Sequence, residues 1–124
     1  MAAKLFGVAL VPLFAAIAQV ESEGGRTSEN VYQLGDAYIE DVNRISRDVV
    51  FADSAAYAKS RAEQMMVVYF MYYGRTYLEK TGKAPTAEVL VRMHNGGPNG
   101  WRKKSTLRYW HRVKAAMDAA ERAK

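Results

Sequence analysis

A chain of 124 residues, 49% apolar and 25% charged, has the balance of one soluble globular domain and can bury a core without staples. It has no cysteine, which excludes a disulfide framework, a thiol nucleophile and thiolate metal sites; His94 and His111 lack acidic residues at ligand spacing, so neither a metal nor any other cofactor is expected. Lys and Arg exceed Asp and Glu by 18 to 13, a net charge of +5, with Arg102, Lys103, Lys104, Arg108, Arg112 and Lys114 bunched late, a face that suits polyanions or simply keeps the protein soluble.

After Lys4 the chain is nearly all apolar from Leu5 to Val20, and Ala16-Ile17-Ala18 has the form of a signal-peptidase site. The stretch is short for a membrane span and contains Pro12. Cleavage after Ala18 would strip the helix that carries Glu21, so we read a buried core helix, neither signal peptide nor membrane span. It is predicted to start near Pro12, run to about Ser22 and end at Gly24-Gly25. Residues 25–34 are polar and mixed, a short hairpin or an irregular loop. Asp36 to Ile45 reads as a second helix, with Ala37, Ile39, Val42 and Ile45 as partly periodic apolar positions. The longest helix is predicted to begin at a cap at Asp53-Ser54 and to reach about Lys80, with Met65, Val68, Tyr69, Tyr72 and Thr76 inward. Gly82 stops it. Thr86 caps a helix through Val89, Leu90 and Met93, which breaks at Asn95-Gly96-Gly97-Pro98, and a last helix runs from about Ser105 to Arg122 with Leu107, Trp110, Val113 and Met117 inward. No repeat or linker interrupts the pattern. The expected fold is mainly α: one domain over residues 1–124, about five helices and the irregular segment near 25–34.

Two places carry chemistry. Glu21 ends an apolar helix, where burial disfavours the charged carboxylate and lets the group hold a proton near neutral pH. Cleavage of a glycosidic bond needs such an acid on the departing oxygen. His94-Asn95-Gly96-Gly97-Pro98-Asn99-Gly100 joins three glycines, which permit close backbone approach, to amide groups that suit sugar hydroxyls; Trp101 and Tyr109 are near in sequence. It lacks the Lys-Ser/Thr ending of a phosphate loop.

Arg92-Met93-His94-Asn95-Gly96-Gly97-Pro98-Asn99-Gly100, followed by Ser105-Thr106-Leu107-Arg108-Tyr109-Trp110, resembles the R-x-H-N-G-G-P-x-G…S-T-L-x-Y-W signature of invertebrate-type (destabilase) lysozymes. Val20-Glu21-Ser22 is similar to the acid-bearing segment of that family, Tyr32-Gln33-Leu34 to its Y/F-Q-I, and Tyr38 with Asp41 to its Y-W-x-D. The order is kept from about residue 13 to 114. More distantly, the arrangement is similar to goose-type lysozymes and lytic transglycosylases. The resemblance implies a lysozyme-like fold and cleavage of peptidoglycan between N-acetylmuramic acid and N-acetylglucosamine. Glu21 would be the acid, with Ser22, Gln33, Tyr38, His94, Asn95, Gly96 and Tyr109 holding sugar or positioning the acid.

Two departures from the family stand out. Its cysteines near the acid are Leu13, Ala16 and Ala18 here, sensible core replacements that suggest a bacterial or phage relative. The loop that carries the family's catalytic aspartate is shortened to Ser22–Tyr32, whose only carboxylates are Glu23 and Glu29. Glu29, next to the expected cleft, is the better substitute and the expected second catalytic residue, ahead of Asp36 and Asp41. The alternatives are a lytic transglycosylase with a single glutamate, a weakened glycan-binding module, and, from charge alone, a helical nucleic-acid binder; the resemblance also implies an isopeptidase side activity. The expected partner is the peptidoglycan strand, with no nucleic acid, reached from the periplasm, from outside the cell or by phage delivery. A monomer is expected.

Overall fold

The computed structural model describes residues 4–124; the first three positions of the expected domain lie outside the described residues. The chain opens with a two-stranded hairpin, β1 (Lys4–Leu5) and β2 (Val8–Ala9), in which Lys4 faces Ala9 and Leu5 faces Val8. Phe6 and Gly7 turn it with φ of 52° and 80°, both positive as a tight two-residue hairpin turn requires. The Phe6 ring lies where a side chain at residue 74 would stand, so Gly74 admits the hairpin against the longest helix.

The expected core helix over the apolar N-terminal stretch is therefore corrected at its start. Helix α1 (Leu10–Ser22) begins two residues before Pro12, which sits in the first turn where its missing N–H breaks no helical bond. Residues 4–9 are strand and turn. The rest of the stretch is core as predicted, with Leu10, Leu13, Phe14 and Ile17 buried. Glu23 ends α1 in the left-handed conformation, with Gly24 donating from its N–H to the Ala18 carbonyl, so the stop comes one residue before the two glycines. Residues 25–34 form no strand, the irregular loop of the two predicted options.

Helix α2 (Asp36–Ile45) matches its predicted bounds and buries Ile39 and Val42. A 3-10 turn over Asp53–Tyr57 follows, then α3 (Lys59–Thr81), so the longest helix is interrupted where continuity was expected. Neither Asp53 nor Ser54 caps it; Ala58 is extended and breaks the run. Its buried stripe is Ala62, Met65, Met66, Tyr69, Phe70 and Tyr73, while Tyr72 and Thr76 are exposed. Apolar residues lie all round this helix, so periodicity alone placed the inner face about one position off. Helix α4 (Ala87–Gly96) starts at Thr86, whose hydroxyl accepts from the Val89 N–H. Two 3-10 turns lead to α5 (Leu107–Arg122), which points Tyr109 and Val113 inward; Leu107, Trp110 and Met117 are only partly covered.

Helix α5 packs along α1 and against α4; α4 meets α3, and α3 meets α2. The buried side chains form one continuous core, with Phe14 edge-on to both Phe70 and Tyr32. No helix among the described residues is long and apolar enough to cross a membrane.

Candidate active site

Glu21 lies in the last turn of α1, half-buried where α1 meets α5. The phenol of Tyr109, itself buried, donates to Glu21 Oε2 at 2.7 Å across 88 residues of sequence. Burial raises the pKa of the Glu21 carboxyl, and the Tyr109 hydrogen bond and the nearby Arg112 charge pull it only partly back. The carboxyl thus keeps its proton to higher pH than a solvated glutamate, the property a general acid needs. Burial and the neighbouring Glu21 push Tyr109 far up, so its hydroxyl remains a donor.

Beside this pair, α2, α3 and α4 enclose an open cleft of about 520 Å³. Tyr38, Glu40, Asp41 and Arg44 line one wall, and Tyr69, His94, Gly97 and Pro98 complete it. Tyr38 stacks on Tyr69 with ring centres 4.4 Å apart, and its hydroxyl is 3.0 Å from His94 Nδ1. Asp41 is fully engaged: Arg44 donates to its Oδ1 at 2.6 Å and Tyr73 to its Oδ2. Glu21 and Tyr109 are not part of this lining, but Tyr109 lies near the Tyr38 phenol that is.

Burial lowers the pKa of His94 from 6.5 to about 4, so the ring is neutral near pH 7. A depressed basic group adds stability that is complete above 6.5 and lost as pH falls towards 4. At about 1.4 kcal/mol per pH unit, this window caps the loss at roughly 3 kcal/mol, and the partial exposure of the ring reduces it. Urea titrations should therefore show His94→Gln less sensitive to pH between 6.5 and 4 than the parent chain. Parallel profiles would remove His94 as the source.

The other sequence-predicted residues are scattered. Ser22 is 1% exposed, and its hydroxyl donates to the Val31 carbonyl at 2.6 Å while accepting from the Gly25 N–H at 2.9 Å. It has no surface to offer a sugar, so its expected binding role is replaced by an anchoring one. Gln33 is exposed with φ of 53°, and its side-chain amide donates to the Asn30 carbonyl. Glu29 is exposed with no hydrogen-bond or ion-pair partner among the described residues, and Glu23 pairs with Arg26. Asn95 is exposed; Gly96 packs against Thr106. Only Glu21 with Tyr109, and Tyr38 with His94, are brought together.

The glycine-bearing segment proves largely architectural. Arg92 donates to Thr106 Oγ1 and the Lys103 carbonyl and pairs with Glu88, while the buried Thr106 hydroxyl lies 2.7 Å from the Gly100 carbonyl. These bonds fold residues 97–106 onto α4 and so fix where α5 begins. A Cβ at Gly100 would strike the Arg92 carbonyl and the Met93 backbone. Gly100→Ala should cost about 3 kcal/mol or more of stability by urea unfolding, since backbone cannot yield as a side chain can; a loss below 1 kcal/mol would mean that the loop relaxes freely.

No family model matches the chain. A Caenorhabditis elegans protein named Invertebrate-type lysozyme 6 is 30% identical over 93 residues, 73% of this chain and 67% of the nematode protein. The chain belongs to the invertebrate-type lysozyme family. A clam lysozyme, from Meretrix lusoria, is 30% identical over 89 residues, 72% of this chain and 67% of its own. With the lysozyme of the oyster Magallana gigas the identity is 46% over 41 residues, 33% of this chain; the match spans only 30% of the oyster protein's own length. The resemblance read from the motifs is thus borne out. The cleft is also lined by Arg44, Glu40 and Tyr69, which no motif singled out. Arg44 had the signal of position, three residues after Asp41 on one helix, and Tyr69 that of its inward place on the longest helix.

Proposed function

We propose that the protein is a muramidase, a glycoside hydrolase that cuts peptidoglycan between N-acetylmuramic acid and N-acetylglucosamine with Glu21 as general acid. The observation that carries this reading is the Glu21 carboxyl itself, half-buried at the end of an apolar helix, with raised pKa and an orienting hydrogen bond from Tyr109. Glu21 gives its proton to the glycosidic oxygen as the bond from the sugar C1 breaks, and the leaving sugar departs as an alcohol. Tyr109 stabilises the carboxylate left behind. The neutral His94–Tyr38 pair and the aromatic wall supply hydrogen bonds and a flat apolar face for the sugar. Membership of a family whose relatives are named lysozymes supports the same reading.

The second half of the reaction has two routes. A hydrolase needs another group to activate water or hold the sugar cation, and Glu29, without a partner among the described residues, is our candidate. In the shortened interval Glu23 pairs with Arg26 and Glu29 stands exposed on the loop; this favours, as a second reading, a lytic transglycosylase with a single acid. Analysis of the fragments released from purified peptidoglycan tests both. A reducing end marks a hydrolase, for which Glu29→Gln should lower the rate at least about tenfold, more than Asp36→Asn or Asp41→Asn. An anhydro end, with Glu29→Gln unchanged, marks the transglycosylase, and no released fragments would refute both.

A further inference from the structure

From Val89 to Met117 the chain contains no Asp or Glu, yet it holds seven Lys and Arg residues. Five ion pairs occur among the described residues: Arg26 with Glu23, Arg44 with Asp41, Arg92 with Glu88, Lys114 with Asp118 and Lys124 with Glu121. Arg108 and Arg112 join none of the ion pairs and are exposed. They stand four residues apart on α5, a spacing at which like charges repel and weaken a helix. Their place on the helix gives this cost a use. At roughly 100° per residue, Arg112 lies about 60° round α5 from Tyr109 and Arg108 about 100° round on the same side. Tyr109 holds Glu21 at 2.7 Å. Two guanidinium groups that join no ion pair among the described residues therefore share one side of α5 next to the residue that holds the acid, and Arg112 is near enough for its charge to act on Glu21.

We propose that Arg108 and Arg112 form a binding site for the carboxylates of an acidic glycan and make such a strand the preferred substrate at Glu21. The proposal rests on the reading of Glu21 as the acid. A guanidinium fork matches a carboxylate in two parallel hydrogen bonds, which a neutral sugar cannot supply. The pair sits within one turn of the residue that grips the acid, where a sugar ring of the bound strand and its substituents must lie. That placement favours carboxylates of the glycan itself over a separate phosphate polymer of the wall.

Binding, not turnover, tests it. The full chain bearing Glu21→Gln is titrated with glycan strands of peptidoglycan freed of stem peptides and phosphate polymer, and with neutral chitin oligosaccharides of equal length. Arg108→Gln and Arg112→Gln should each weaken binding of the acidic strands about two- to fivefold, and together about tenfold. The salt dependence of that binding should flatten, and chitin affinity should not change. Arg122→Gln, the same loss of charge at the far end of α5, should move neither. Equal losses on chitin, an equal effect of Arg122→Gln, no loss at all, or a loss seen only with strands still carrying phosphate polymer would each overturn the proposal. Failure of the Glu21 assignment shows differently: the Glu21→Gln chain would keep cleaving peptidoglycan, whatever the binding pattern.

Discussion

Glu21→Gln should lower peptidoglycan cleavage by about 10²–10⁴-fold, the usual worth of a positioned general acid, while leaving the fold intact. The amide keeps the shape of the side chain and can still accept the Tyr109 hydrogen bond, but it has no proton to give. Its effect on stability has a definite sign. The raised pKa of Glu21 means that its contribution is favourable at low pH and is lost as pH rises through the folded-state value. Glutamine removes that loss, so at neutral pH the variant should melt no lower than the parent, and slightly higher. Turbidity loss of a wall suspension and a thermal melt together decide the matter. Retention of more than a third of the rate would take Glu21 out of its assigned role; a lower melting temperature would trace the inactivity to damage instead.

Deleting residues 1–18 should abolish cooperative unfolding. Leu10, Leu13, Phe14 and Ile17 are each at most 1% exposed, and at about 1.5–3 kcal/mol per buried side chain their loss, about 6–12 kcal/mol in all, is as large as the whole 5–15 kcal/mol margin of a typical domain, before the uncovering of the neighbouring α5 face is added. Circular dichroism against temperature would show a broad, featureless slope. A soluble truncated chain that melts sharply and retains activity would mean that the apolar N-terminus is dispensable.

The helices were legible wherever amphipathic spacing and a cap agreed. Thr86 announced α4, and the run from Asp36 to Ile45 matched α2. The errors have local causes. Phe6, a bulky residue with positive φ, is a poor turn signal by residue type, so the hairpin was hidden inside an apolar run. In α3 the excess of Met, Val and Tyr blurred the inner face. At the site, Glu21 and Tyr109 were both singled out, yet their contact spans 88 residues and no spacing foretells it. Ser22 misled for another reason. It stands beside the acid in sequence, but successive helix positions point about 100° apart, and its side chain faces the core.

That buried serine has a consequence for how this site can change. Its hydroxyl bridges Gly25 and Val31, closing the segment between them at its base like the drawstring of a bag. The length of the bag is then nearly independent of the acid above it. Doubling the enclosed segment would cost only about 0.6 kcal/mol in closure entropy. Residues can thus be added or lost between Arg26 and Asn30 with little displacement of Glu21. The shortened interval is a place where a longer, aspartate-bearing insert can be grafted and its chemistry compared with the parent on one unchanged scaffold.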